Sequence, residues 1–197
     1  MADGSSIPAS PETPAPASIA ETAGLEVLLD HEQIARRVAE MGREISRDFD
    51  GQSLLLVGVL KGAAIFLSDL ARSLSMDATF DFLAVSSYGS GSRSGGAVRV
   101  IKDLDTPIGG KNVILVEDIL DTGLTLEFLC KLLRQHDPKT LKIASCLDKP
   151  GRRLKRIEAD YTGFRIPNRF VVGYGMDYGE RYRNLPDICT LSSAHQE

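Results

Sequence analysis

Apolar residues along this chain follow two rhythms. Short unbroken runs of Val, Ile and Leu alternate with longer stretches in which an apolar residue returns every third or fourth position. The run at 113–116 (Val, Ile, Leu, Val) has the length and β-branched content of a strand buried on both faces of a parallel sheet. Two carboxylates, Glu117 and Asp118, follow at once, ending the predicted strand. After Asp121, Thr122 and Gly123 comes 124–136, where Leu126, Leu129, Leu132 and Leu133 fall at helical spacing. Strand, acidic end, glycine-containing turn and helix make half of a βα unit.

The same rhythms continue on either side. Asp30 is placed to cap a helix, with Gln33 three residues on as the second half of a capping box. Ile34, Val38, Met41 and Ile45 form that helix's apolar stripe. A second buried strand spans 53–59 and ends in Leu60-Lys61-Gly62-Ala63, and a helix follows to about 75. A third strand covers 79–86. The Gly- and Ser-rich stretch 88–96 suits neither regular element and is either a plain connector or a lid. Extended structure resumes over 97–102, so the stretch joins two antiparallel strands. Asp137-Pro138 stops the central helix. Another strand runs over 141–147, ending in Asp148-Lys149-Pro150-Gly151-Arg152-Arg153, and a last short one over 170–174. This alternation predicts an α/β protein, an open, mainly parallel sheet flanked by helices. Residues 1–24 (mostly Ala, Pro, Ser and Thr) read as a disordered extension, and 25–197 as one domain.

Composition narrows the picture. The 197 residues, 43% hydrophobic, can build one substantial core. A net charge of −4 and a pI of about 5.5 favour neither nucleic acid nor an anionic membrane as partner. No apolar run approaches the ~20 residues that span a bilayer. The N-terminus lacks the basic and apolar regions of a signal peptide. Cys130, Cys146 and Cys189 are odd in number, widely spaced and without a metal-ligand pattern, which predicts buried thiols in a reducing compartment. The expected location is cytoplasmic.

Candidate chemistry gathers at strand ends. In open parallel sheets ligands sit beyond the carboxyl ends of the strands, and a turn opening a helix presents N–H groups to an anion. Acids beside an anion site require a ligand that also carries hydroxyls or a metal ion, and a sugar phosphate satisfies both. The plainer alternative is that Glu117 and Asp118 only solubilise a strand end, but Asp121, Thr122 and Thr125 continue the polar cluster. No Gly-x-x-x-x-Gly-Lys-Ser/Thr occurs, so the loop is not one that grips nucleoside triphosphates. A phosphoribosyl group fits better. The Leu60-Lys61-Gly62 turn and Asp148-Lys149 end two further strands. Taken singly, Lys61 reads as a surface lysine, Phe170 as a core aromatic and Arg183 as a surface charge.

The segment 113–125 resembles the phosphoribosyl pyrophosphate signature of type I phosphoribosyltransferases, in the form carried by bacterial hypoxanthine-guanine enzymes. Five motifs in matching order cover about 30–190. The resemblance implies the type I fold with a small hood formed by terminal segments. It also implies transfer of phosphoribosyl to hypoxanthine or guanine, with xanthine a further candidate, in purine salvage. Glu117 and Asp118 would hold the ribose hydroxyls directly or through Mg2+, and Glu117, Asp118 and Asp177 would be the metal ligands. Thr122, Gly123, Leu124 and Thr125 would cradle the 5′-phosphate, and Asp121 would take the purine N7 proton. Leu60, Lys61 and Gly62, with a cis bond between Leu60 and Lys61, would bind pyrophosphate together with Arg183. Lys149 would donate to the purine 6-oxo group, Phe170 would stack on the base, and Val171 C=O would read its edge, with Asp177 nearby. Ser87 and Tyr88 would begin a mobile lid. Which of Arg152 and Arg153 reaches ligand stays open. His31, His136 and His195 match no site position. Expected partners are the two small substrates, with no nucleic acid or membrane, in a homodimer or homotetramer. Two other classes compete: a nucleotide- and RNA-binding regulator on the same fold, which needs a basic patch this chain lacks, and a phosphoacceptor domain, whose acid pair should follow the first strand.

Overall fold

Asp30 begins the first helix through its own side chain. Its Oδ1 accepts from the Gln33 N–H at 2.7 Å, and Gln33 Oε1 accepts from the Asp30 N–H at 3.0 Å, closing the expected capping box. Helix α1 (His31–Asp48) then lays Ile34, Val38, Met41 and Ile45 into the core. The computed structural model describes residues 24–87 and 98–191. Before α1 comes β1 (Glu26–Leu29). After it come β2 (Leu54–Leu60), α2 (Ala64–Ser73), β3 (Thr79–Ser87) and β4 (Val98–Lys102). Then follow β5 (Asn112–Leu120), α3 (Leu124–Arg134), β6 (Thr140–Asp148), a 3₁₀ turn (Pro150–Arg152), β7 (Tyr161–Arg165), β8 (Val171–Val172) and β9 (Ile188–Thr190).

The main sheet has the order β4-β3-β2-β5-β6-β7, parallel throughout except for β4, which runs antiparallel on β3. Alternate residues of its central strands serve two cores. Leu54, Leu56, Ile114 and Val116 pack towards α1 and α2. Leu55, Val57, Val113 and Leu115 pack towards α3, against Leu126, Leu129 and Leu133. Both faces are covered, which is why these strands read as unbroken apolar runs. The terminal segments form a separate three-stranded sheet, β1-β9-β8, around Leu25, Val172, Leu185, Cys189 and Leu191. This is the expected hood.

Three differences from the sequence reading have physical causes. β5 does not stop at Val116. It runs on through Glu117 and Asp118 to Leu120, because β6 goes on pairing with it as far as Leu120↔Asp148. The strand anticipated at 170–174 shrinks to Val171–Val172, since Gly173 (φ 94°) and Tyr174 (φ 50°) turn the chain away. β1, β7 and β9 escape the apolar pattern: β1 and β9 are short strands that pair with each other across the length of the chain, and β7 is five residues on the open edge of β6. The three cysteines are free and buried. Among the described residues no helix is long and apolar enough to cross a membrane. The predicted extension 1–24 lies, but for Gly24, outside the described residues.

Candidate active site

The chain leaves β2 towards β3 on one side, while β5, β6 and β7 build outward on the other. The carboxyl ends of β2 and β5 therefore flank the point where the strand order reverses, the place for a ligand in such a sheet. β5 pairs with β2 only as far as Gly58↔Val116. From Glu117 onward that edge of β5 is open, and the turn after β2 closes over it. The Leu60–Lys61 peptide is cis, as the resemblance implied. Gly62 lies so close to β5 that a Cβ there would stand 1.8 Å from Asp118 Oδ2. Above it sits the loop after β8: a Cβ at Gly175 (φ +100°) would stand 2.1 Å from the Gly62 carbonyl oxygen. Glycines at both positions let the turn's backbone meet the Asp118 carboxylate on one side and the loop's backbone on the other. Tyr174 anchors the loop from behind, its hydroxyl donating to Asp69 Oδ2 on α2 at 2.8 Å.

The carboxylates of this crevice are under electrostatic load. Both Glu117 and Asp118 keep some exposed surface, yet Glu117 Oε2 is sealed from solvent without a partner. Burial, with Asp118 alongside, pushes Glu117 well above the usual carboxylate range. Burial likewise pushes Asp118 up to about 6, opposed by the Ile119 N–H, which donates to its Oδ1 at 2.8 Å. Such a pair favours hydroxyl donors or a cation. Among the described residues no three His, Cys, Asp or Glu side chains gather into a metal cage. The oxygen donors present do suit Mg2+, which takes one or two carboxylates and leaves its other positions to substrate and water. Asp177 spends Oδ1 on Arg183 at 2.7 Å and Oδ2 on the Glu180 N–H at 2.8 Å.

At the end of β5 the chain turns through Asp121 and Thr122 to Gly123 (φ 81°), the N-cap of α3. The Glu127 N–H bonds the Gly123 carbonyl at 2.9 Å, so the amides before it, at Thr122, Gly123, Leu124, Thr125 and Leu126, open the helix. First-turn amides have no intrahelical acceptor, and the Leu124 N–H finds only Thr122 Oγ1, at 3.4 Å. Asp121 Oδ1 is buried and unpartnered, while Oδ2 meets Arg152 at 3.2 Å. The two arginines thus divide their tasks. Arg152 reaches the Asp121 carboxylate. Arg153 turns inward, donating to the Asp121 carbonyl at 3.1 Å, to the Ile157 carbonyl and to Asp148.

Asp121 helps to line a cavity of about 400 Å³, together with Asp118, Lys149, Phe170, Val171 and Asp177. Lys149 is only 5% exposed, and no acceptor takes a hydrogen bond from its ammonium among the described residues. Burial pushes its titration down, against the pull of Asp121. Phe170 is 43% exposed and meets Tyr178 edge-on at 5.7 Å. A larger depression of about 610 Å³ lies on the far side of Arg153. It contains none of the β5 carboxylates, so the chemistry belongs to the smaller cavity.

The structure thus brings together Glu117, Asp118, Asp121, Lys149, Phe170, Val171, Asp177 and the Lys61-Gly62 turn. Lys61 itself points away, its Nζ 2.9 Å from Glu180 Oε2. Arg183 donates to the Gly175 carbonyl at 2.8 Å, and its Nε is buried without a partner. The predicted lid is only touched: Ser87 ends β3, and Tyr88 and the residues behind it lie outside the described residues. Reading by residue type missed Gly175, Tyr174 with Asp69, and Glu180. The Gly-Tyr-Gly triplet at 173–175 was the one available signal for them.

Comparison with known proteins gives the family. The family model described as phosphoribosyl transferase domain matches residues 24–179. The chain is 51% identical over 171 residues to the hypoxanthine-guanine phosphoribosyltransferase of Mycobacterium avium, covering 84% of each chain. It is 46% identical over 172 residues to the protein of the same name from Bacillus subtilis, covering 87% of this chain and 96% of that one. A solved hypoxanthine phosphoribosyltransferase from Staphylococcus aureus superposes with a TM-score of 0.86 at 45% identity, over 91% of this chain and 97% of that one.

Proposed function

The chain belongs to the phosphoribosyl transferase family, and from that premise we infer that the crevice over β5 joins a purine base to a phosphoribosyl group. It is a purine salvage enzyme. The 5-phosphoribosyl group passes from phosphoribosyl pyrophosphate to hypoxanthine or guanine, giving IMP or GMP and pyrophosphate. The purine nitrogen attacks sugar C1′ as the bond from C1′ to the pyrophosphate oxygen breaks.

Each step has a residue suited to it. The amides of Thr122, Gly123, Leu124 and Thr125, at the positive end of α3, hold the 5′-phosphate, the Leu124 N–H giving up its long bond to Thr122 Oγ1. Glu117 and Asp118 accept from the ribose hydroxyls. Lys149, buried on the cavity wall, donates to the 6-oxo oxygen while Phe170 covers one face of the ring. The unpartnered Oδ1 of Asp121 accepts the N7 proton as the base becomes a nucleophile. Arg152 orients that carboxylate. Amides of the Lys61-Gly62 turn and the free Nε of Arg183 meet the departing pyrophosphate. A magnesium ion held by Glu117 or Asp118 and by substrate oxygens would supply charge neutralisation for the diphosphate.

The observation that carries this reading is Lys149, a buried residue whose ammonium has no acceptor among the described residues and which lines the cavity beside Asp121 and Phe170, with room for a purine. A spectrophotometric assay of hypoxanthine, guanine, xanthine, adenine and uracil with phosphoribosyl pyrophosphate tests it. Turnover is expected with the 6-oxopurines and almost none with adenine, whose amino group would set donor against donor at Lys149. Preference for adenine overturns the base-site assignment. The assembly is proposed to be a homodimer or homotetramer, to be read by analytical ultracentrifugation.

A further inference from the structure

Glu180 has no part in the reaction just described, yet it lies between Arg183 and the side chain of Lys61, whose turn faces the diphosphate. Its Oε2 stands 2.9 Å from Lys61 Nζ and its Oε1 3.4 Å from an Arg183 terminal nitrogen. One carboxylate thus offers one oxygen to each cation, as a bridging phosphate would. The bridge crosses from the turn after β2 to the loop after β8, the two segments stacked through Gly62 and Gly175. Glu180 is held there by its own backbone. Its N–H donates to Asp177 Oδ2 at 2.8 Å, and its φ of 67° lies in the left-handed region that favours glycine. Arg183 is meanwhile incompletely satisfied, because its Nε remains buried without an acceptor.

We propose that Glu180 is an internal competitor for the diphosphate, its carboxylate occupying the Lys61–Arg183 socket in the free enzyme and giving way when pyrophosphate or the pyrophosphoryl end of the substrate enters. The inference rests on the assignment of the Lys61-Gly62 turn and Arg183 to the diphosphate, and adds that the Lys61 ammonium, turned away onto Glu180 in the free enzyme, swings to it. A diphosphate brings more oxygens and more negative charge than one carboxylate, so it can engage both cations and the idle Nε together. A single phosphate has less with which to displace Glu180, so the carboxylate raises selectivity for the diphosphate. On the product side its return competes with pyrophosphate for the same cations and speeds departure. Both side chains of the Lys61–Glu180 pair are about two-thirds exposed, 67% and 64%, so the competition is modest and sensitive to salt.

The test uses the full chain, with Glu180→Gln and Lys61→Met. Isothermal titration with inorganic pyrophosphate, Mg2+ present, should give about two- to fivefold tighter binding for Glu180→Gln than for wild type. Product inhibition by pyrophosphate should tighten by the same factor, and KM for phosphoribosyl pyrophosphate should fall with it. GMP lacks the diphosphate, so its affinity should change less than twofold. The difference between variant and wild type should shrink as salt is raised. A carboxylate that merely held Arg183 in place, or helped to bind the ligand, would give the opposite sign. Equal or weaker pyrophosphate binding by Glu180→Gln therefore overturns the proposal. If Lys61→Met weakens pyrophosphate in that same experiment, the cation assignment stands and only the competitor role falls. If Lys61→Met binds pyrophosphate as wild type does, the ammonium's part falls and the competitor role falls with it, while the turn's amides keep their assignment.

Discussion

At Asp118, burial in the β5 crevice holds the carboxyl near 6 instead of its ordinary 3.8. An unfolded chain releases this proton at lower pH than the folded one. Between about pH 4 and 6 the folded state therefore binds the extra proton, and stability falls as pH rises through that window. The full penalty, up to about 3 kcal/mol, is present above pH 6. Asp118→Asn should lessen that slope, leaving the part that the buried Glu117 contributes in the same direction, and raise the thermal midpoint at pH 7.5, while weakening phosphoribosyl pyrophosphate binding. Thermal unfolding of both proteins from pH 4 to 8 measures it, and parallel curves would refute the burial argument. Lys149 and Asp121 separate base choice from chemistry. Lys149→Met should lose 6-oxopurine turnover but largely keep phosphoribosyl pyrophosphate affinity, because the sugar phosphate is held at Glu117 and the amides before α3. Asp121→Asn should lower kcat with little change in either substrate's binding, as the loss of a proton acceptor does.

Among the elements, the loop after β8 depends on contact with the turn after β2. A methyl group at Gly175 would meet the Gly62 carbonyl, and φ +100° is strained for alanine. Gly175→Ala should cost about 1–3 kcal/mol and lower the thermal midpoint by a few degrees. The larger effect should be on catalysis, since the loop carries Asp177 and Arg183 and a displacement of ~1 Å can cost about a hundredfold in rate. Steady-state kinetics beside a melting curve would separate the two. A kcat/KM within a factor of two of wild type would show that the stacked backbones do not position the site. The helix ends follow a different logic. The capping box at Asp30 and the stop near Pro138 are local chemistry, and both were readable before any contact was known.

For the whole molecule, a main sheet with both faces covered and a small terminal hood explains where stability and function lie. The hood begins at β1 (Glu26–Leu29), whose partner β9 lies at the other end of the chain. A protein starting at Gly24 is expected to unfold within ~2 °C of the full chain and to keep its purine turnover, because the described packing begins at Leu25. Loss of several degrees on removing residues 1–23 would assign the extension a structural part.

Periodicity and short-range chemistry determined much of this protein. The buried runs at 53–59 and 113–116, the stripe of α1, the glycine turn before α3 and the carboxylates of β5 are each stated by neighbouring residues, since strand, helix and cap preferences act over a few positions. Signature spacing carried Lys149, Phe170 and Asp177 as well. Only the tertiary structure decided how far β5 runs, because Glu117 and Asp118 remain in the strand through pairing with β6, some 28 residues downstream. The hood was likewise hidden in the pattern, since strands of two to four residues carry too little periodicity and are defined by distant partners. The division of labour between Arg152 and Arg153 and the bridge from Glu180 to Lys61 are side-chain geometry across 31 and 119 positions of chain. Identical residue types in another backbone would not make them, because an ion pair is set by where the folded chain places its two ends.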